Sequence, residues 1–306
     1  MTMHDDQVEV DADTVAALIE EQFPRWRGRA VRRVSSTGTV NAIFRIGDDL
    51  SARFPLRASD AAQALTVLER EARAGAELAQ VSPFPVPEPV ALGRPGAGFP
   101  MPWSVQTWVS GTDAFTADPG GSDAFAEDLA AFIEALRKAG TRGRRFSGGG
   151  RGGVLTDHDE WMATCFEESE RLSGRPDGAP LDVPRLRRLW SRFRTLPRTG
   201  ADVMSHGDLI PGNVLVTGDR LGGVLDTGDF GPADPALDLV GAWHLLRPGP
   251  REVLRRTLAC DDLEWERGKA WAFEQAMGVV WYYVDSNPTM SAMGRRTLAR
   301  ILESTE

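Results

Sequence analysis

The stretch from Ser205 to Phe230, SHGDLIPGNVLVTGDRLGGVLDTGDF, carries three oxygen-bearing side chains in a pattern that could do chemistry. Asp208 lies in a loop behind His206 and Gly207, and Asn213 follows five residues later. The spacing predicts a strand from Val214, a turn at Thr217 to Arg220, and a second strand ending on Asp226. A loop carboxylate can take the proton of an attacking hydroxyl, while an amide oxygen and a second carboxylate can share a hard cation such as Mg2+. These are the parts that phosphoryl transfer needs, because its catalysis is positioning plus charge neutralisation. The alternative is an Asx turn at Asp208 and an ordinary strand entrance at Asn213, which requires three coincidences. His206 reads as a brace for the loop, outside the catalytic set.

Protein kinases carry HRDxxxxN and DFG where this chain has HGDxxxxN and Asp226-Thr-Gly228. The HGDLxxxN form, continued by DxGDxxxxDPxxDL from Asp226 to Leu239, resembles the aminoglycoside phosphotransferase family. The resemblance implies an α+β, protein-kinase-like bilobal fold. A small antiparallel-sheet lobe over 1–108 would bind nucleotide, and a larger, mainly helical lobe over 109–306 would carry catalysis and the acceptor. The hinge falls near 104–111, where backbone groups would receive the adenine edge.

The implied activity is nucleotide- and Mg2+-dependent O-phosphorylation of a small molecule's hydroxyl, with ATP or GTP as donor. An aminoglycoside or another antibiotic is the implied acceptor, hence a role in antibiotic resistance. A kinase of an ordinary metabolite, such as a sugar or amino alcohol, and a non-catalytic nucleotide-binding module are the alternatives. Carried over residue by residue, the family's roles make Asp208 catalytic and Asn213 and Asp226 the metal ligands. The nucleotide would bind under the Ser35 to Asn41 loop, which carries Ser36, Thr37 and Gly38, with Arg53 on the phosphate oxygens and Glu71 orienting Arg53.

Other segments must position these groups. Strand signals at 30–34, 42–46 and 50–54 predict two successive hairpins. The first connection, Ser35 to Asn41, is small and polar, which suits backbone N–H groups approaching phosphate. Its single glycine makes it neither a Walker A loop nor a GxGxxG loop. Arg53 stands where a kinase presents Lys, and a guanidinium can hold phosphate oxygens bidentately; a snorkelling strand arginine is the alternative. A helix is predicted from Ser59, as cap, to about Ala79. Within it Glu69 competes with Glu71, and a solvated i,i+4 charge face of Glu69 with Arg73 is the alternative.

Pro83, Pro85, Pro87 and Pro89 force an extended path before a strand at Trp103 to Trp108. A helix capped by Ser122 follows, with Phe125, Leu129, Phe132, Ile133 and Leu136 inward. The run TRGRRFSGGGRGGVL, beginning at Thr141, either folds over the substrate or is a surface insertion. The helix from Thr156 is expected to turn Trp161, Met162 and Cys165 inward. A helix over Pro235 to Leu246 places Asp238 in its first turn, where it could bind catalytic-loop amides. Two long helices, parted at Asp285 to Pro288, end the chain.

Composition narrows the function classes. With 306 residues, 42% hydrophobic and 26% charged, the chain suits two packed lobes. A net charge of -9 argues against nucleic acid as partner and tolerates a cationic substrate. Cys165 and Cys260 lie in no CxxC pattern and read as small core residues. The acidic N-terminal segment has no apolar h-region, and no apolar run is long enough for a bilayer, so a cytoplasmic protein away from membranes is expected. A metallohydrolase built on His206, Asp208 and Asp226 is disfavoured by four histidines with no HxH or HxxxH pair.

Overall fold

Strand alternation sets up the first part of the molecule. The computed structural model describes residues 8–34, 40–173 and 181–304; the expected phosphate loop at Ser36, Thr37 and Gly38 lies outside them. Helix α1 (Ala12–Gln22) precedes β1 (Val31–Val34), β2 (Asn41–Ile46) and β3 (Leu50–Pro55). Helix α2 (Ala61–Val81), β4 (Pro89–Gly93) and β5 (Trp103–Thr107) complete an antiparallel sheet in the order β1-β2-β3-β5-β4.

One face of this sheet buries Phe44, Ile46, Ala52, Phe54, Trp103 and Val105 against Val15, Leu18 and Ile19 of α1. Phe54 and Trp103 stack with centroids 4.8 Å apart. Gly93 permits that stack, since a Cβ there would lie 2.0 Å from the Trp103 ring. Period-two alternation sends Arg53, paired in register with Ser104, to the opposite face.

The proline-rich path contains an edge strand, β4, that the prolines obscured; an edge tolerates residues lacking an N–H. The cap of α2 is Asp60, whose carboxylate accepts from the N–H groups of Ala62 and Gln63, and not Ser59 as expected. Both residue types cap well, so spacing by one residue decided the register.

The chain forms two compact units, Met1–Gly111 with Gly223–Asp229, and Thr112–Gly222 with Phe230–Glu306. In the first unit the returning segment is held where the N–H of Val224 donates to the Pro85 carbonyl at 3.0 Å.

The second unit is mainly helical. It comprises β6 (Thr112–Asp113), α3 (Ala114–Ala117), α4 (Asp123–Lys138), α5 (Asp159–Ser173), α6 (Val183–Phe193), β7 (Val203–Ser205) and β8 (Val214–Thr217). Strand β9 (Arg220–Val224) runs out into the first unit. After it come β10 (Gly231–Ala233), α7 (Val240–Leu245), α8 (Pro248–Thr257), α9 (Asp262–Tyr282) and α10 (Pro288–Glu303).

Ser122 caps α4 by accepting from Phe125 N–H, and its hydroxyl donates to the Asp219 carbonyl at 2.9 Å. The buried stripe of α4 is the expected one, from Phe125 to Leu136. Replacing Ser122 by Ala removes both bonds and should lower stability by about 1 kcal/mol, read as a shift of the urea midpoint.

Trp161 departs from expectation and is 40% exposed. Helix α5 begins only at Asp159, after a 3-10 turn, and its inward stripe runs through Met162, Cys165 and Phe166. Trp161 sits at the stripe's edge, with its ring over Gly278 and against Trp281. The second hairpin strand ends at Val224, two residues before Asp226. The helix expected from Pro235 is a 3-10 turn at Leu237–Leu239 followed by the short α7. Burial pushes the Cys165 thiol up to about 12 and the Cys260 thiol up to about 11, so both stay protonated packing groups. Among the described residues no helix is long and apolar enough to cross a membrane.

Candidate active site

The loop between β7 and β8 is held by its own backbone donors. Asp238, almost fully buried, accepts from Ser205 Oγ at 2.7 Å and from the N–H groups of His206 and Gly207 at 3.0 and 2.9 Å. This is the amide-binding role its position predicted, and a carboxylate satisfied by three donors makes a rigid anchor. His206 is buried and its Nδ1 accepts from the Asp208 N–H at 3.3 Å, which is bracing. Gly207 has φ +85, a left-handed turn that glycine adopts freely and that turns Asp208 out of the loop.

Three side chains then hold the Asp208 carboxylate. Asn213 Nδ2 donates to its Oδ2 at 2.8 Å and to its main-chain carbonyl at 3.0 Å. Arg151 Nη2 and Gln275 Nε2 both donate to its Oδ1, at 3.0 and 2.5 Å. The donors come from the 3-10 turn just before β8, from the glycine-rich loop and from α9, so the carboxylate is fixed from three directions.

The glycine-rich loop is therefore built into this region. Gly152 has φ +111, and a Cβ there would meet Ala233 at 2.8 Å, while its carbonyl accepts from Asp234 N–H at 2.8 Å. Asp234 in turn pairs with Arg267 of α9, both almost fully buried.

Arg53 and Asp226, both in the first unit, form an ion pair with Nη2 donating to Oδ1 at 2.9 Å. Asp226 has φ +59, an uncommon backbone state for a residue with a side chain. That turn, just past β9, aims its carboxylate at Arg53. Glu71 of α2 packs on Gly228, where a Cβ would lie 2.8 Å from Glu71 Cγ. Burial raises the Glu71 pKa above the usual carboxylate range, and the Arg53 charge opposes the rise. The expected orientation of Arg53 by Glu71 takes a different form: the guanidinium bonds Asp226, while Glu71 and Arg53 line one cavity of about 250 Å3 with Ser104, Gln106, Thr227 and Gly228.

Asn213 in the second unit and Asp226 in the first each carry an oxygen of the hard type that Mg2+ takes. Asn213 uses its amide nitrogen on Asp208 and keeps Oδ1, and Asp226 keeps its second carboxylate oxygen beside the one that Arg53 holds. Among the described residues no cluster of three His, Cys, Asp or Glu side chains could hold a metal alone. Few protein oxygens, completed by phosphate and water, are what Mg2+ accepts.

A model of the phosphotransferase enzyme family matches residues 30–271, from β1 well into α9. The chain belongs to this family. No curated protein matches it in sequence. Among solved structures it is similar to aminoglycoside 2'-phosphotransferase-IIIa in its GDP complex, at 17% identity over 97% of this chain and 100% of the other, with a TM-score of 0.68. Macrolide 2'-phosphotransferase MphH from Brachybacterium faecium is 18% identical over 93% and 98% of the two chains, with a TM-score of 0.61. A complex of APH(2")-IIa with streptomycin and ATP is 17% identical over 97% of each chain, with a TM-score of 0.60. At such identities these likenesses show the fold, which is the kinase-like one expected.

In this phosphotransferase, Asp208, Asn213, Arg53, Glu71 and Asp226 stand out from sequence alone, and Arg151 and Gln275 do not. Gln275 offered one signal, a lone amide inside the apolar run of α9, since a buried amide needs partners.

A second buried pair touches the same region. His158 Nδ1 and Glu274 Oε1 lie 3.0 Å apart, and donating this hydrogen bond to Glu274 raises the imidazole pKa while burial opposes it. A raised folded-state pKa stabilises fully below the unfolded value of about 6.5 and is lost as pH climbs through the folded value. The stability gap between wild type and His158→Gln should therefore be largest below the unfolded value and shrink as pH rises above it, measured by urea unfolding across a pH series.

Proposed function

We propose that this phosphotransferase moves the γ-phosphoryl group of Mg2+-bound ATP or GTP to a hydroxyl of a small molecule, in the cytoplasm. An aminoglycoside or another antibiotic is the acceptor class, in keeping with the kanamycin, streptomycin and gentamicin complexes among the similar folds. The observation that carries the reading is the Asp208 carboxylate, fixed by Arg151, Gln275 and Asn213 at the end of an amide-anchored loop. A carboxylate so oriented is a general base in waiting.

Asp208 accepts the acceptor hydroxyl's proton as its oxygen bonds to the γ-phosphorus and the bridging bond to the β-phosphate breaks. Asn213 and Asp226 would hold Mg2+, which when bound would supply neutralisation of the phosphate charge. Arg53 reaches the phosphates by exchanging its Asp226 contact for their oxygens, with Glu71 beside it. The N–H groups of Ser36, Thr37 and Gly38 are assigned to the phosphates on the family pattern.

Turnover of ATP and of GTP, followed with kanamycin, streptomycin, a macrolide and small sugar or amino alcohols, tests the reading. Acceptor-dependent turnover that EDTA abolishes and Mg2+ restores is expected. Metal-independent turnover would overturn the roles of Asn213 and Asp226. Nucleotide binding without turnover for any acceptor would favour a non-catalytic module.

A further inference from the structure

We infer that Gln275, His244 and Thr297 form a positioning relay that locks the amide of Gln275 with its nitrogen toward Asp208. The inference rests on Asp208 being the base. An ionised carboxylate only accepts, so a glutamine bonded to it must present its NH2 group. Nε2 does so at 2.5 Å, which turns Oε1 toward His244 Nε2 at 3.0 Å. An amide oxygen only accepts, so His244 carries its proton on Nε2. Nδ1 is then an acceptor, and the Thr297 hydroxyl meets it at 2.9 Å.

Every link has one direction, set by the carboxylate at its end. Turning the Gln275 amide over would place oxygen against carboxylate and NH2 against N–H, two repulsive contacts in a buried site. Gln275, His244 and Thr297 are each at most 5% exposed, so water cannot repair such an error. Burial pushes the His244 pKa down to about 3, which keeps the ring neutral at working pH. The three residues come from α9, α7 and α10, so three helices of the second unit fix one donor on the base. Nothing in the transfer step itself uses His244 or Thr297.

The relay is tested on the full chain, first by its proton. Long-range 1H–15N NMR of the histidine rings should show His244 as the neutral Nε2–H tautomer, and Gln275→Leu or Thr297→Val should mix or reverse that tautomer. An Nδ1–H or charged ring in the wild type overturns the inference. The second readout is turnover of Mg2+-ATP with kanamycin, or with water where kanamycin is not phosphorylated. Gln275→Leu and Thr297→Val should each lower kcat by about 10- to 100-fold with KM for nucleotide unchanged. Their double variant should lose little more than either alone, because one chain is broken twice, and Thr297→Ser should keep wild-type kcat. Additive losses, or normal kcat in both single variants, sink the relay. Asp208→Asn separates the two layers: if it keeps full turnover, the reading of Asp208 fails whatever the tautomer shows.

Discussion

Asp208→Asn is expected to lower phosphoryl transfer by about 10²- to 10⁴-fold while leaving nucleotide affinity near wild type. The substitution keeps size and loop geometry, because the Asp208 N–H bond to His206 and the Asn213 bond to its carbonyl involve the main chain. It removes the group that takes the proton. It also sets an NH2 group against either Asn213 or the Arg151–Gln275 pair, all of which donate. Arg53, Glu71 and Asp226 lie in the first unit and keep their contacts. Steady-state kinetics paired with calorimetric nucleotide binding checks both halves. Loss of binding together with turnover would mean that the loop had collapsed, and full turnover would remove Asp208 from the chemistry.

The largest effect on stability is expected from Arg267→Met, at about 3–5 kcal/mol of destabilisation. Arg267 and Asp234 are 1% and 0% exposed at their side chains, and Nε of Arg267 donates to Asp234 Oδ2 at 3.0 Å. Removing the cation leaves a carboxylate in the core with only the Ala236 N–H, at 3.0 Å on its other oxygen, to satisfy it. The Leu196 carbonyl, to which Arg267 also donates, loses its partner too. Pairing the change with Asp234→Leu removes the stranded charge and should recover much of the loss. Urea unfolding of the three variants gives the coupling directly. A fall below about 1 kcal/mol for Arg267→Met would mean that water reaches Asp234. Asp234 also holds the Gly152 carbonyl, so the single variant should weaken the hold of the glycine loop next to Arg151.

Much of what positions the site was legible as periodicity and punctuation. Alternation in β2 and β3 sent Phe44 and Phe54 to the core and Arg53 to the other face. The apolar stripe of α4 and its Ser122 cap were likewise readable. Local choices between equivalent residues were not: Ser59 and Asp60 can each cap a helix, and only the final register chose Asp60.

Long-range partners were harder still. Arg151 and Gln275 meet Asp208 across 57 and 67 residues of chain, and neither period nor spacing encodes that meeting. The glycine-rich run read as either a substrate cover or an insertion because its glycines show only that the chain bends. That Gly152 must pack against Ala233 is a tertiary fact. Asp226 illustrates the same limit: its motif position was clear, whereas its left-handed backbone and its pairing with Arg53 required the fold.

If this chain delivers phosphate to a small hydroxyl acceptor through Asp208, the acceptor itself must carry the product. The most direct test is the mass of the acceptor after incubation with Mg2+-nucleotide, wild type beside Asp208→Asn. An acceptor heavier by one phosphoryl group is expected, formed by the wild type and not by the variant. Phosphorylated acceptor from both proteins, or nucleotide consumed by the wild type with free phosphate as its only product, would contradict it.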